Sequence, residues 1–138
     1  MDKLSAERRS ANMRQIPSEN TAPELLLRRM LHRLGYRFRL HRKDLPGKPD
    51  LVFASRRKVI FVHGCFWHQH PACREGRVPQ SRREYWEPKL KRNQKRDAAS
   101  QASLEEQGWR FLVVWECDLK DTTPALRAVK RFLGRAAR

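Results

Sequence analysis

A chain of 138 residues is the size of one ordinary domain and too short for two independent cores. Its 31 Lys and Arg stand against 15 Asp and Glu. A net charge of +16 would strain a compact body unless a polyanion regularly neutralised it, so nucleic acid is the expected partner. No apolar stretch is long enough to span a bilayer and no cleavable signal pattern follows Met1, so the expectation is a cytoplasmic protein with no membrane role. The basic residues divide evenly, 15 in residues 1–69 and 16 in residues 70–138, which excludes a basic tail on a neutral body.

Residues 1–20 are polar, with few large apolar side chains, and read as an arm that orders on a nucleic acid; residues 21–138 read as the single folded domain. From Thr21, with Pro23 early, Leu27, Met30, Leu31 and Leu34 recur on one face of a predicted helix that Gly35 ends. Tyr36, Phe38 and Leu40 then alternate with arginines, the period of a strand covered on one side. After the turn-rich Leu45-Pro46-Gly47-Lys48-Pro49, the runs Asp50–Phe53 and Lys58–Val62 predict a hairpin around Ser55-Arg56-Arg57. Gly64 to Ser81 has no period and crowds Gly, Pro, Cys and His together, as in a loop organised by a metal rather than by an apolar core. A polar helix is predicted from about Pro88 to Gln107, then a buried strand over Phe111–Trp115. A last helix opens at Thr123-Pro124, with Leu126, Val129, Phe132 and Leu133 on one face. The order of helices and strands predicts an α/β sandwich.

Two groups of residues carry chemistry. A hairpin centred on or just after Arg56 sets Asp50 opposite Val62 or His63, bringing a carboxylate, a strand carbonyl and an imidazole to its open end. Asp50 and the Val62 carbonyl suit a hard cation such as Mg²⁺, which prefers oxygen ligands, and His63 suits contact with a phosphate. Glu24, near the inward face of the first helix, can reach the same place as a further acid. The second group, Cys65-x4-His70-x2-Cys73 with Cys117 just beyond the last strand, uses every cysteine and forms a closed Cys₃His set for structural Zn²⁺, with His68 the rival to His70. Phe66 and Trp67 are bulky groups beside these donors that can stack on or wedge between bases, with Met13, Tyr85 and Trp86 as weaker candidates. Basic residues of the 89–96 segment can meet phosphates.

The run Phe61-Val62-His63-Gly64-Cys65-Phe66-Trp67-His68, with Leu45–Asp50 before it and Val113-Val114-Trp115-Glu116-Cys117 after it, closely resembles the very short patch repair endonucleases. The similarity extends in order from Ser10–Arg14 through Glu84-Tyr85-Trp86 and Arg96-Asp97 to Gly108-Trp109-Arg110. It implies a restriction-endonuclease-like, PD-(D/E)xK-type core with a mixed central sheet flanked by helices, in which Phe61-x-His63 replaces the usual acidic-lysine motif. It also implies strand nicking next to the T of a T·G mismatch in duplex DNA. By this resemblance Asp50 and the Val62 carbonyl hold magnesium, His63 contacts the scissile phosphate, His68 is the general base and Glu24 a further active-site acid. Phe66, Trp67 and Met13 insert beside the mismatch with Trp86 near them, and Cys65, His70, Cys73 and Cys117 bind zinc. Val62 stands where the family commonly has threonine, a difference without effect on a backbone ligand. The expected protein is a monomer working alongside mismatch-repair proteins. The competing readings are a related nickase with another DNA target and a noncatalytic zinc-stapled DNA-binding module.

Overall fold

A computed structural model describes residues 20–70 and 81–136. Helix α1 spans Ala22–Arg33 because Thr21 caps it, its hydroxyl accepting the Glu24 N–H at 3.4 Å, and Pro23 fits the first turn. Its buried face is Glu24, Leu27 and Leu31, while Leu34, expected on that face, is 42% exposed. The helix has ended by then: Gly35 takes a φ of 96°, its N–H bonds to the His32 carbonyl, and that of Tyr36 reaches the Leu31 carbonyl, a glycine-terminated C-cap that swings Leu34 outward.

A four-stranded sheet follows, in the order β1 (Arg39–Leu40), β2 (Leu51–Phe53), β3 (Lys58–His63), β4 (Arg110–Trp115). Strand β1 is shorter than the alternation of Tyr36, Phe38 and Leu40 predicts, and Leu40 is 40% exposed: β1 is an edge strand, and only Arg39 and Leu40 find partners, on Val52 and Leu51. The hairpin of β2 and β3 is present, but its register pairs Leu51 with Ile60 and Phe53 with Lys58. The connection is a 3₁₀ turn over Ala54–Arg56 closed by Arg57 in the left-handed conformation, so it centres before Arg56. The ladder thus continues toward Asp50 opposite Phe61 rather than Val62 or His63. Strand β4 joins β3 in parallel, from Lys58 beside Arg110 to His63 beside Trp115. A parallel pair needs a crossover, which helix α2 (Arg83–Glu106) supplies. This helix begins before Pro88, which lies in its second turn. Helix α3 (Thr122–Leu133) opens at Asp121, whose carboxylate accepts the Thr123 N–H.

Period-two strands divide their side chains between two cores. On one face Leu51, Phe53, Ile60 and Val114 pack with Leu27 and Leu31 of α1 and Ala125, Val129 and Leu133 of α3. On the other, Val52, Val59 and Phe61 pack with Leu45, Trp109 and Leu104 of α2. The result is a mixed α/β sandwich with helices on both sheet faces. The Leu45–Pro49 turn lies close against α2: a side chain on Gly47 (φ 78°) would sit 2.9 Å from Ser100 Cβ and 3.1 Å from the Phe61 ring. Among the described residues no helix is long and apolar enough to cross a membrane.

Candidate functional site

Because β2 runs against β3 while β4 runs with it, the start of β2, the end of β3 and the end of β4 share one edge of the sheet. Among the described residues, three groups of potential metal ligands are carried by the strand ends at this edge and by the helices and loops against them.

The first joins α1 to the start of β2. Asp50 Oδ2 accepts the Val62 N–H at 2.7 Å, so the anticipated approach of these two residues is made through the amide of Val62. Glu24, only 1% exposed, holds Arg28, and its carboxylate lies 2.7 Å from His41 Nε2; Asp50 Oδ1 lies 3.8 Å from the same nitrogen. Burial pushes the Asp50 carboxyl up to about 7. The Val62 amide opposes that rise, the negative Glu24 reinforces it, and Arg28 partly offsets it. Two buried carboxylates close together, the negative Glu24 helping to raise Asp50, are a donor set suited to a divalent cation, so the residues fit Mg²⁺ by the chemistry of their oxygens.

The second group lies between the end of β3 and α2. The His63 and His68 rings stack 3.7 Å apart and 8° from parallel, and His68 Nδ1 lies 2.6 Å from Asp97 Oδ2. Burial, and then repulsion from His68, depress His63 to about 4, with Asp97 pulling the other way. His63 is therefore neutral near pH 7 and a hydrogen-bonding rather than a charged group.

The third group is Cys65, His70 and Cys117. His70 Nδ1 lies 3.8 Å from Cys65 Sγ and 3.3 Å from Cys117 Sγ. These separations bracket the roughly 3.5 Å expected between a nitrogen and a sulfur on one tetrahedral zinc. His70, not His68, faces the thiols: the loop folds on itself through bonds from His68 N to the Gly64 carbonyl and His70 N to the Cys65 carbonyl, which send one imidazole to α2 and the other onto the Trp115 ring. Cys73 and Met13 lie outside the described residues.

Beside these groups Phe66 and Trp67 are half-buried and meet each other edge to face at 5.3 Å. Trp86 is 1% exposed and packs behind both, at 5.3 and 5.9 Å, so it backs the pair rather than sharing its surface. The Lys89 ammonium lies over both tryptophans, and the Asn93 amide donates to the Trp67 carbonyl at 3.3 Å. Asp97, His41 and Asn93 are the partners sequence reasoning missed. A helical stripe was available as a signal: Trp86, Leu90, Asn93, Asp97, Ser100 and Leu104 recur at spacings of three and four along α2, apolar at its ends and polar where it passes the loop.

Fold and site together define a strongly basic α/β protein that gathers Glu24, His41 and Asp50 into one group of potential ligands and Cys65, His70 and Cys117 into another near one edge of its sheet. A family model described as DNA mismatch endonuclease Vsr matches residues 1–74. The chain is 58% identical over 120 residues to the type II nicking enzyme V.XorIIP of Xanthomonas oryzae pv. oryzae, covering 87% of this chain and 88% of that protein. It is 46% identical over 112 residues to the DNA mismatch endonuclease Vsr of Escherichia coli K12 (81% and 71%), and 40% identical over 132 residues to V.NmeAIP of Neisseria meningitidis (96% and 94%). The chain belongs to the Vsr family of DNA mismatch endonucleases.

Proposed function

We propose that this protein is a DNA endonuclease that nicks one strand of duplex DNA next to the T of a T·G mismatch, by Mg²⁺-dependent phosphodiester hydrolysis. It does so as a monomer on a restriction-endonuclease-like core braced by Zn²⁺. The observation that carries the reading is the contact of His68 with Asp97 against His63, at the sheet edge where Asp50 and Glu24 meet. A carboxylate on Nδ1 holds the proton there and leaves the Nε2 lone pair to take a proton from water, the arrangement a general base needs. His63, neutral and stacked beneath it, donates a hydrogen bond to the phosphate. Asp50, held by the Val62 amide, and Glu24 would hold the cation, with the Val62 carbonyl as the backbone ligand. When bound, Mg²⁺ supplies charge to stabilise the phosphoryl oxygens and acidifies coordinated water.

Cys65, His70 and Cys117 lie together, and with Cys73 as the expected fourth ligand they would make a set with no open position, so zinc here would brace the loop and take no part in hydrolysis. Phe66 and Trp67, backed by Trp86 and joined by Met13 of the N-terminal arm, wedge at the mismatch, and the basic face of α2 holds the backbone. A noncatalytic zinc-stapled module would have no use for a buried acid pair or for an aspartate orienting His68. The deciding experiment is strand-specific nicking of duplexes carrying each mismatch, with Mg²⁺ and without. Nicking of the T strand at T·G alone establishes the reading, cleavage at another mismatch makes the protein a related nickase, and binding without cleavage makes it a DNA-binding module.

A further inference from the structure

The cation site just proposed contains a side chain that a plain magnesium site does not require. His41 follows β1 directly and is a non-glycine residue at φ 47°, a turn that brings its imidazole in between the two acids while its N–H bonds to the Asp50 carbonyl at 3.3 Å. Its Nε2, one Glu24 oxygen and one Asp50 oxygen all lie within 4.8 Å of one another. The Val62 amide occupies Asp50 Oδ2 and thereby sets the orientation of Oδ1, which faces His41 Nε2 at 3.8 Å, too far for a hydrogen bond. Donors on one octahedral ion, at about 2.1–2.2 Å from it, sit about 3 Å apart when adjacent and about 4.3 Å when opposite. To sit adjacent on one ion the 3.8 Å gap must close by less than an ångström, and the 2.7 Å contact to Glu24 must open by a few tenths.

We propose that His41 is a third protein donor to the Glu24–Asp50 cation site, and that its imidazole tilts the site toward first-row divalent ions, Mn²⁺ among them, relative to Mg²⁺. The inference rests on the reading of Asp50 and Glu24 as cation ligands. Mg²⁺ takes oxygen donors and gives up its water reluctantly, whereas Mn²⁺ lies nearer the ions that imidazole suits. Ligation uses the Nε2 lone pair, so the ring proton of the ligated form is on Nδ1, and the Glu24 oxygen now 2.7 Å from Nε2 turns to the ion.

The test uses the full-length, zinc-replete protein, in which zinc is silent to electron spin resonance, and Mn²⁺ alone as the probe. Bound Mn²⁺ should show nitrogen modulation in its spin echo that changes when the protein is made with ¹⁵N-histidine, a readout on the unaltered sequence. In His41→Gln that modulation should vanish and the Mn²⁺ dissociation constant should rise by about 10-fold or more, with a smaller change for Mg²⁺ measured by competition. Absence of histidine coupling in the wild-type protein, coupling that persists in His41→Gln, or equal losses for both ions would overturn the proposal. Asp50→Asn separates the two readings: Mn²⁺ bound as tightly by that variant as by wild type means this is not the cation site, whereas loss in Asp50→Asn with no nitrogen coupling in wild type removes His41 only.

Discussion

His68 and Asp97 meet at 2.6 Å between the loop after β3 and the middle of α2, through the imidazole nitrogen that a base does not use. Asp97→Asn keeps the shape and removes the anionic acceptor, which frees the wrong tautomer. Single-turnover nicking of a T·G duplex should fall by about 10- to 100-fold, with binding of that duplex little changed. His68→Ala should fall by about 100-fold or more. The double variant should be no worse than His68→Ala, since Asp97 acts only through the His68 ring; multiplying losses would place Asp97 in a separate role.

Asp50 and His63 make opposite demands on pH. Asp50, raised to about 7 by burial, stabilises the fold fully below its unfolded value of 3.8, and that contribution is lost as pH rises toward 7. His63, lowered to about 4 from 6.5, contributes fully above 6.5 and loses its contribution as pH falls toward 4. Between those limits the two cancel in the wild-type protein. Asp50→Asn removes one of them, so without added Mg²⁺ its stability should gain about 2 kcal/mol on wild type between pH 5 and pH 6.5. Urea melts of both proteins at the two pH values measure this, and parallel profiles would mean that Asp50 is ionised throughout.

Cys117 sits in a 3₁₀ turn just past β4, while Cys65 and His70 sit after β3, so a metal there ties two strand ends together. Cys117→Ser should therefore lower zinc content and melting temperature together, because the binding energy of a structural site is folding energy. Wild-type protein that is metal-free and equally stable would exclude the zinc.

Phe66 and Trp67 together should set mismatch selectivity. A paired step demands the full unstacking cost of a few kcal/mol, while a T·G step has already lost part of it. Replacing both by Ala should weaken binding to the mismatched duplex far more than to perfect duplex at fixed salt, leaving the salt dependence, which comes from phosphate contacts, in place. Trp86→Ala should instead lower stability, by about 3–5 kcal/mol, since that ring is buried behind them. Equal losses on both duplexes would reduce the two half-buried rings to support for the loop.

Much of this was legible along the chain. The apolar repeat of Leu27 and Leu31, that of Val129 and Leu133, and the strand runs around Val52, Ile60 and Val114 are local periods set by backbone geometry, and each became the element it predicts. The proximity of Cys65, His70 and Cys117 was legible for a different reason: a chain with three cysteines offers few ways to assemble soft donors, and Cys65 and His70 lie close in sequence.

What the chain order could not show is which nitrogen meets which oxygen. His68 and His70 are two residues apart and chemically the same; the turn bonds from Gly64 and Cys65 send one to Asp97 and the other to the thiols. The hairpin register was decided by the 3₁₀ turn over Ala54–Arg56, and Asp50 reached Val62 through its side chain all the same. The contacts of Asp97 and His41 stayed hidden because each is an isolated polar residue whose partner is distant in the chain, 29 residues away for His68 and 17 for Glu24. Periods and motifs report what a segment does to its own neighbours. The antiparallel return of β2 and the parallel crossover to β4 bring three strand ends to one edge, and only that assembly turns separate residues into a site.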